Sequence, residues 1–257
     1  MLKHAVLFPF FLVIGVLALL HAIWQGSFGW LAFVCCAGVG ITAWGAFDIR
    51  LGYFTETFYR KKHLSSKLVA LTFDDGPTAH TAQILELLQQ HGAKATFFCV
   101  GKQLLVYPEV LKEIVHQGHT VGNHTFSHSR SFGFLNETQV KEEIGRTDEV
   151  IRNLLGRSPK FFRPPFGVTN PSVAKAVKYT KHQVIGWSNR SLDTITFDEG
   201  KIFERVCRKL TPGDIILFHD TSPRTVDVLR RLLPYLQKEG YTCVSVDVLL
   251  NLYPYDT

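Results

Sequence analysis

Between His4 and Phe47 the chain carries no Asp, Glu, Lys or Arg, whereas from Leu68 onward short apolar runs alternate with stretches of mixed polarity. The uncharged region divides at 21–28 into two apolar segments, roughly from Ala5 to Leu20 or Trp24 and from Gly29 to Phe47. Each approaches the ~20 residues that a helix needs to cross a bilayer. Neither has the polar face that a soluble helix pair would show, so the pattern predicts a transmembrane helical hairpin over residues 1–47. A cleaved signal peptide fits less well, because no small-x-small site follows Leu20 and the second segment would still need a home. Gly38, Gly40 and Gly45 are consistent with close helix contact.

Residues 48–67 read as a juxtamembrane linker whose Tyr53, Phe54, Phe58 and Tyr59 suit an interfacial aromatic belt. Arg60-Lys61-Lys62 suits headgroup contact, worth about 1 kcal/mol per charge near an anionic surface. Beyond it, Leu68 to Phe73, Ala95 to Val100, Thr120 to Gly122, Lys160 to Phe162, Gln183 to Trp187, Asp214 to Phe218 and Tyr241 to Val246 predict strands. Between them, helical apolar spacing covers 81–91, 109–117, 137–155, 171–179, 199–210 and 224–238, and Asn136 with Gln139 makes a capping box for the third. About seven βα units without a dinucleotide fingerprint predict an α/β domain over 68–257, a distorted (β/α)7-type parallel barrel. No internal repeat, low-complexity tract or second soluble domain is visible.

The candidate chemistry lies where these strands end, the face on which barrel active sites gather. The first closes on Asp74-Asp75-Gly76-Pro77, and His124 and His128 stand four residues apart. Where a strand turns into Gly-Pro, adjacent carboxylates can face one cavity. One then binds a cation with the imidazoles, while its neighbour stays free to take a proton from water. Taken singly, Asp-Gly-Pro is ordinary turn punctuation, and a histidine pair can arise by chance among 11 histidines. Arg163-Pro164-Pro165-Phe166-Gly167 stiffens the chain so that the Phe166 N–H is held in a fixed direction, a candidate oxyanion donor. A further apolar run ends in His219-Asp220, which alone reads more naturally as a buried strand reaching the surface.

The ordered set TFDDGP, HTFSH, RPPFG, a Trp187 to Asp193 stretch and LFH resembles the polysaccharide deacetylase family, carbohydrate esterase family 4 or NodB homology domain, from about Leu68 to the C-terminus. The resemblance implies that Asp75, His124 and His128 bind one divalent metal ion, zinc by expectation, and that Asp74 is the general base. Arg163 would orient Asp74, Asp193 would pair with Arg163, and His219 would be the general acid. The Phe166 N–H would share the oxyanion with the metal, and Leu217 would line the acetyl pocket. The family often places Trp directly after the acid of the fourth motif, where this chain has Thr194, which leaves the pocket less apolar or calls on Trp187. Asp220 is a candidate to orient His219, or a plain surface acid.

The expected function is removal of N-acetyl groups from amino sugars of a polysaccharide, peptidoglycan or lipid-linked glycan. The alternatives are a deformylase or amidase acting on a lipid-linked sugar or other small amide, and a non-catalytic carbohydrate-binding envelope protein. The net charge of +6 does not change this, because the basic residues are dispersed and no basic patch interleaved with aromatics marks a nucleic-acid binder. No protein partner can be inferred. Cys99, Cys207 and Cys243 are an odd set without metal spacing and read as packing thiols, with Cys35 and Cys36 inside the apolar span. Lys3, Arg50, Arg60, Lys61 and Lys62 flank the hairpin, which by the positive-inside rule favours cytoplasmic termini. The resemblance instead favours a catalytic domain outside the inner or plasma membrane, and the expectation adopted is extracytoplasmic.

Overall fold

The structure, a computed structural model, describes residues 3–256. Two long helices come first, α1 (His4–Gln25) and α2 (Gly29–Phe47). Both are long and apolar enough to cross a membrane, and most of their surface is exposed. They pack on each other, with Phe11 lying against Gly38.

The remaining elements alternate: β1 (Thr57–Phe58), β2 (Leu68–Asp74), α3 (Thr81–Gln90), β3 (Ala95–Cys99), α4 (Gly101–Val106), α5 (Pro108–His116), β4 (Thr120–Asn123), α6 (Glu137–Leu155), β5 (Phe161–Phe162), α7 (Pro171–Thr180), β6 (Gln183–Ile185), β7 (Asn189–Arg190), α8 (Glu199–Arg208), β8 (Ile215–His219), α9 (Pro223–Lys238), β9 (Thr242–Cys243) and α10 (Val246–Leu250). Every strand pair in the sheet is parallel, in the order β1-β6-β5-β4-β3-β2-β8-β7, with β9 joining β2. The expected parallel α/β barrel is therefore present, and its distortion has a definite source. β6 and β7 are two halves of one run, the first pairing β5 and the second pairing β8. The curled sheet is thus completed through the covalent chain at Gly186-Trp187-Ser188, not by a continuous ladder.

The period of two along β2 sorts its side chains between two environments. Val69, Leu71 and Phe73 point outward into the cluster under α3 and α9, where Phe73 stacks on Phe97 and Phe218 at centroid distances of 5.0 and 6.1 Å. Ala70 joins the inner cluster with Phe98, Phe161, Ile185 and Ile215, and Thr72 and Asp74 continue that inner face upward. α10 plugs the bottom of this interior with Val246, Leu249 and Leu250. The sequence reading of Tyr241 to Val246 as a strand is corrected here. The strand stops at Cys243, and the alternating valines after it give way to a helix that buries an i, i+3, i+4 set. The capping box at α6 is formed, Asn136 Oδ1 accepting from Gln139 N and Gln139 Oε1 from Asn136 N, both at 3.0 Å.

The stretch read as a linker is not a tether. Thr57–Phe58 adds an edge strand beside β6, and Lys61 N donates to the Gly213 carbonyl at 2.9 Å. Ile49 is buried in a cluster with Phe132, Val140, Ile144 and Phe162. Tyr53, expected at a membrane interface, is buried against Gly45, and its carbonyl accepts from His4 N. Thr169 N donates to the Ala46 carbonyl at 3.0 Å, so the base of the hairpin and the barrel are joined. Ile49→Ala should therefore destabilise the barrel by about 2–5 kcal/mol, as removal of a buried branched side chain does. Urea unfolding of the full chain in detergent reads this directly, and an unchanged midpoint would mean that the segment is a tether after all.

Candidate active site

Asp74 is the last residue of β2, His124 follows β4, Arg163 follows β5, Asp193 lies three residues past β7 and His219 ends β8. The β2–β8 register sets Asp74 directly beside His219. A cavity of about 250 Å³ is lined by Asp74, Asp75, His124, His128, Phe166, Trp187, Thr194, Leu217 and His219, together with Arg190. The structure thus brings nine of the eleven expected site residues to the lining. Arg163 lies beneath it and Asp193 behind His219.

Arg163 is fully buried. Its Nη1 donates to Asp74 Oδ1 at 2.7 Å and to Thr72 Oγ1 at 2.8 Å, its Nε to the Ile185 carbonyl at 3.0 Å and its Nη2 to the Gly186 carbonyl at 2.9 Å. Phe98 covers its plane at 4.0 Å. Burial pulls its pKa down and Asp74 pushes it back up, with burial prevailing. Since Oδ1 of Asp74 is taken, Oδ2 is the oxygen left toward the cavity, 3.8 Å from His124 Nε2.

Asp75, His124 and His128 place one ligand atom each within 4.8 Å of one another. Asp75 Oδ1 is 3.4 Å from His124 Nε2 and 3.3 Å from His128 Nε2. Tetrahedral ligation at about 2.0–2.1 Å separates donors by roughly 3.3 Å, so the spacing fits a single small cation. The second ring nitrogen of His124, Nδ1, donates to the Arg163 carbonyl at 2.6 Å, which fixes the ring and turns the Nε2 lone pair inward. Burial opposes ionisation of Asp75, but the bond and charge of His124 outweigh it and hold the carboxyl well below the usual range. Burial and the charge of His124 lower His128, whereas in His124 the pull of burial is overcome by Asp74 and Asp75. The chemistry and spacing of these donors fit the divalent ion that the sequence implies.

Two sequence expectations need correction. Asp193 does not pair with Arg163, whose donors already face Asp74, Thr72 and two carbonyls. Asp193 instead accepts from His219, Oδ1 from Nδ1 and Oδ2 from the backbone N, both at 2.8 Å, and also from Ser191 Oγ and Thr225 Oγ1. Nor does Asp220 orient His219. It is buried beneath Gly76, where a Cβ would collide with its carboxylate, and it accepts from Thr81 Oγ1. Burial pushes Asp220 up to about 7. Burial lowers His219, but the hydrogen bond and charge of Asp193, with Asp74 and Asp75 beyond, raise it to about 9.

Sequence reasoning missed Glu143 on α6, which accepts from Phe126 N, Ser127 N and Ser127 Oγ at 2.8–3.1 Å and so holds the loop between the two histidines. It missed Asn123, whose Oδ1 caps Thr125 N at 2.8 Å. Glu143 has no local signal, because only the α6–β4 packing brings it near this loop, whereas Asn123 caps a residue two positions on and is itself held to α6 by Nδ2 donating to the Ile144 carbonyl at 2.9 Å and to Asp148 Oδ1 at 2.8 Å. Of the eight non-glycine residues with positive φ among the described residues, Asp75, Thr125, His128, Phe166 and Leu192 sit on the loops that carry this site. Backbone strain of that kind concentrates where side chains are aimed for function.

A scan against family models matches residues 61–185 to the polysaccharide deacetylase family. Two Bacillus cereus proteins described as peptidoglycan-N-acetylglucosamine deacetylase are similar. One is 36% identical over 183 residues, which is 69% of this chain and 66% of that protein. The other is 34% identical over 193 residues, 73% of this chain and 90% of that protein. A solved peptidoglycan N-acetylglucosamine deacetylase, in complex with 4-naphthalen-1-yl-N-oxidanyl-benzamide, superposes with a TM-score of 0.73 at 32% identity, covering 78% of this chain and 95% of its own.

The His219–Asp193 contact generates a pH prediction. With its pKa raised, His219 keeps its proton at neutral pH and loses it as pH climbs toward 9. A cation at Asp75 repels the imidazolium and brings that midpoint down, and Asp193→Asn should bring it down further. A step requiring protonated His219 should therefore show an alkaline limb in kcat that shifts to lower pH in Asp193→Asn. A limb at unchanged pH would separate Asp193 from this role.

Proposed function

The chain belongs to the polysaccharide deacetylase family, and we propose on that footing that it is a metal-dependent hydrolase removing N-acetyl groups from amino sugars of a cell-envelope glycan. The relatives named as peptidoglycan deacetylases support the glycan class. The observation that carries the reading is that Asp74, with a free carboxylate oxygen, and His219, with its proton held by Asp193, line one cavity with the Asp75-His124-His128 donor set.

A divalent ion held by those three, zinc by expectation, would supply Lewis-acid polarisation and a water of lowered pKa. Asp74, with Oδ1 fixed by Arg163, takes the water's proton on Oδ2. His219, with Nδ1 held by Asp193, gives a proton from Nε2 to the departing amine, which amide hydrolysis needs because an amine anion is a poor leaving group. The Phe166 backbone N–H, fixed between Pro165 and Gly167 at φ 60°, serves the developing oxyanion. Trp187, Leu217 and Thr194 wall the acyl pocket, the exposed Thr194 leaving its rim polar.

The hairpin α1–α2 is read as an anchor in the inner or plasma membrane, with the catalytic domain on the extracytoplasmic side where envelope glycans lie. A non-catalytic scaffold is disfavoured because loss of Asp74 or His219 would mark such decay, and both are present.

Acetate release from a panel of N-acetylated glycans, with and without chelator, tests the proposal. Asp74→Asn and His219→Ala should each cut turnover by about 10²–10⁴ while metal content stays at the wild-type level. His124→Ala should lose the metal together with the activity. Undiminished turnover in Asp74→Asn, or full metal occupancy in His124→Ala, contradicts these assignments.

A further inference from the structure

A second cleft, about 410 Å³, lies between the end of α2 and the mouth of the catalytic cavity. Its walls share Trp187 and Arg190 with that cavity. Arg50, Arg190, Arg205 and Lys209 line it against a single carboxylate, Asp48. Asp48 is already engaged by Arg50 at 2.7 Å, and among the described residues Arg190, Arg205 and Lys209 form no ion pair with a carboxylate. Arg205 Nε donates to the Arg190 carbonyl at 2.9 Å, tying α8 to β7 so that these cations stand on one rigid wall. The opposite rim is apolar and belongs to the last turn of α2, Trp44 and Phe47 being 58% and 72% exposed. A cationic pocket beside exposed aromatics at the end of an apolar helix sits at headgroup level if that helix enters a bilayer.

We propose that this cleft binds the phosphate of a lipid-linked amino sugar, so that the enzyme acts on a glycan still attached to its membrane carrier. Guanidinium forks match phosphate oxygens in paired hydrogen bonds. From there the sugar passes Trp187 and Arg190 into the catalytic cavity, while the lipid leaves past Trp44 and Phe47 toward the bilayer. The inference rests on the deacetylase reading and narrows its substrate.

The test uses the full-length, zinc-loaded protein in detergent micelles and four substrates: farnesyl-phosphate-linked N-acetylglucosamine, N-acetylglucosamine 1-phosphate, an uncharged N-acetylglucosamine oligosaccharide and a peptidoglycan fragment bearing peptide carboxylates. The lipid-linked sugar should have the highest kcat/KM. Its ratio to that of the oligosaccharide should fall about tenfold or more in Arg205→Gln/Lys209→Gln, the loss of phosphate pairing being worth at least that much. Calorimetric binding of farnesyl phosphate to metal-free protein should weaken by a similar factor. Equal kcat/KM for lipid-linked and uncharged sugars, equal use of the lipid-free phosphate, preference for the peptidoglycan fragment, or a ratio unmoved by the double substitution would each overturn the inference and leave the deacetylase reading intact. Acetate from none of the four would refute both.

Discussion

One buried cation organises the top of this barrel. Arg163 has no exposed surface and spends its donors on Asp74, Thr72 and the carbonyls of Ile185 and Gly186, so a single side chain fixes β2 against the point where the sheet closes through covalent chain. Its own carbonyl meanwhile orients His124. A charge held this way is costly to desolvate and stable only while Asp74 answers it. The Asp74 carboxylate, the His124 ring and the closure of the fold consequently depend on one another, and none can shift without disturbing the rest.

The acids divide the labour through their partners. Asp74 is held by a guanidinium that cannot give up its proton, so it faces the cavity with one bound and one free oxygen. Asp193 is enclosed by His219, Ser191 and Thr225 and keeps an imidazole charged. Asp75 faces two imidazoles and no guanidinium or ammonium, an environment that suits a metal ligand. Three carboxylates in and behind one crevice thus acquire three different environments from what stands beside them.

The parts of this arrangement carried by local pattern were legible in the sequence. β2, β3 and α6 follow from uninterrupted periodicity, and α6 starts where its capping box predicts. The DDGP and HTFSH runs named the residues that the cavity assembles. What escaped depends on contacts between distant segments. Thr57–Phe58 is too short to show a period and becomes a strand only because β6 offers an edge. The valines after Cys243 alternate like a strand but cap the barrel bottom as a helix, because the inner cluster selects Val246, Leu249 and Leu250 together. The partner of Asp193 was unreadable for the same reason: the acid lies three residues past β7, and only the pairing of β7 with β8 shows that His219 stands beside it.

The central claim is that Asp75, His124 and His128 grip one ion while Asp74 stays outside its ligand shell. X-ray absorption at the zinc edge of the loaded full-length protein measures that shell directly. The account predicts two imidazole nitrogens among otherwise oxygen ligands at about 2.0–2.2 Å, unchanged when Asp74 is replaced by Asn. A shell with sulfur, with a single imidazole, or with an oxygen lost in Asp74→Asn would contradict it.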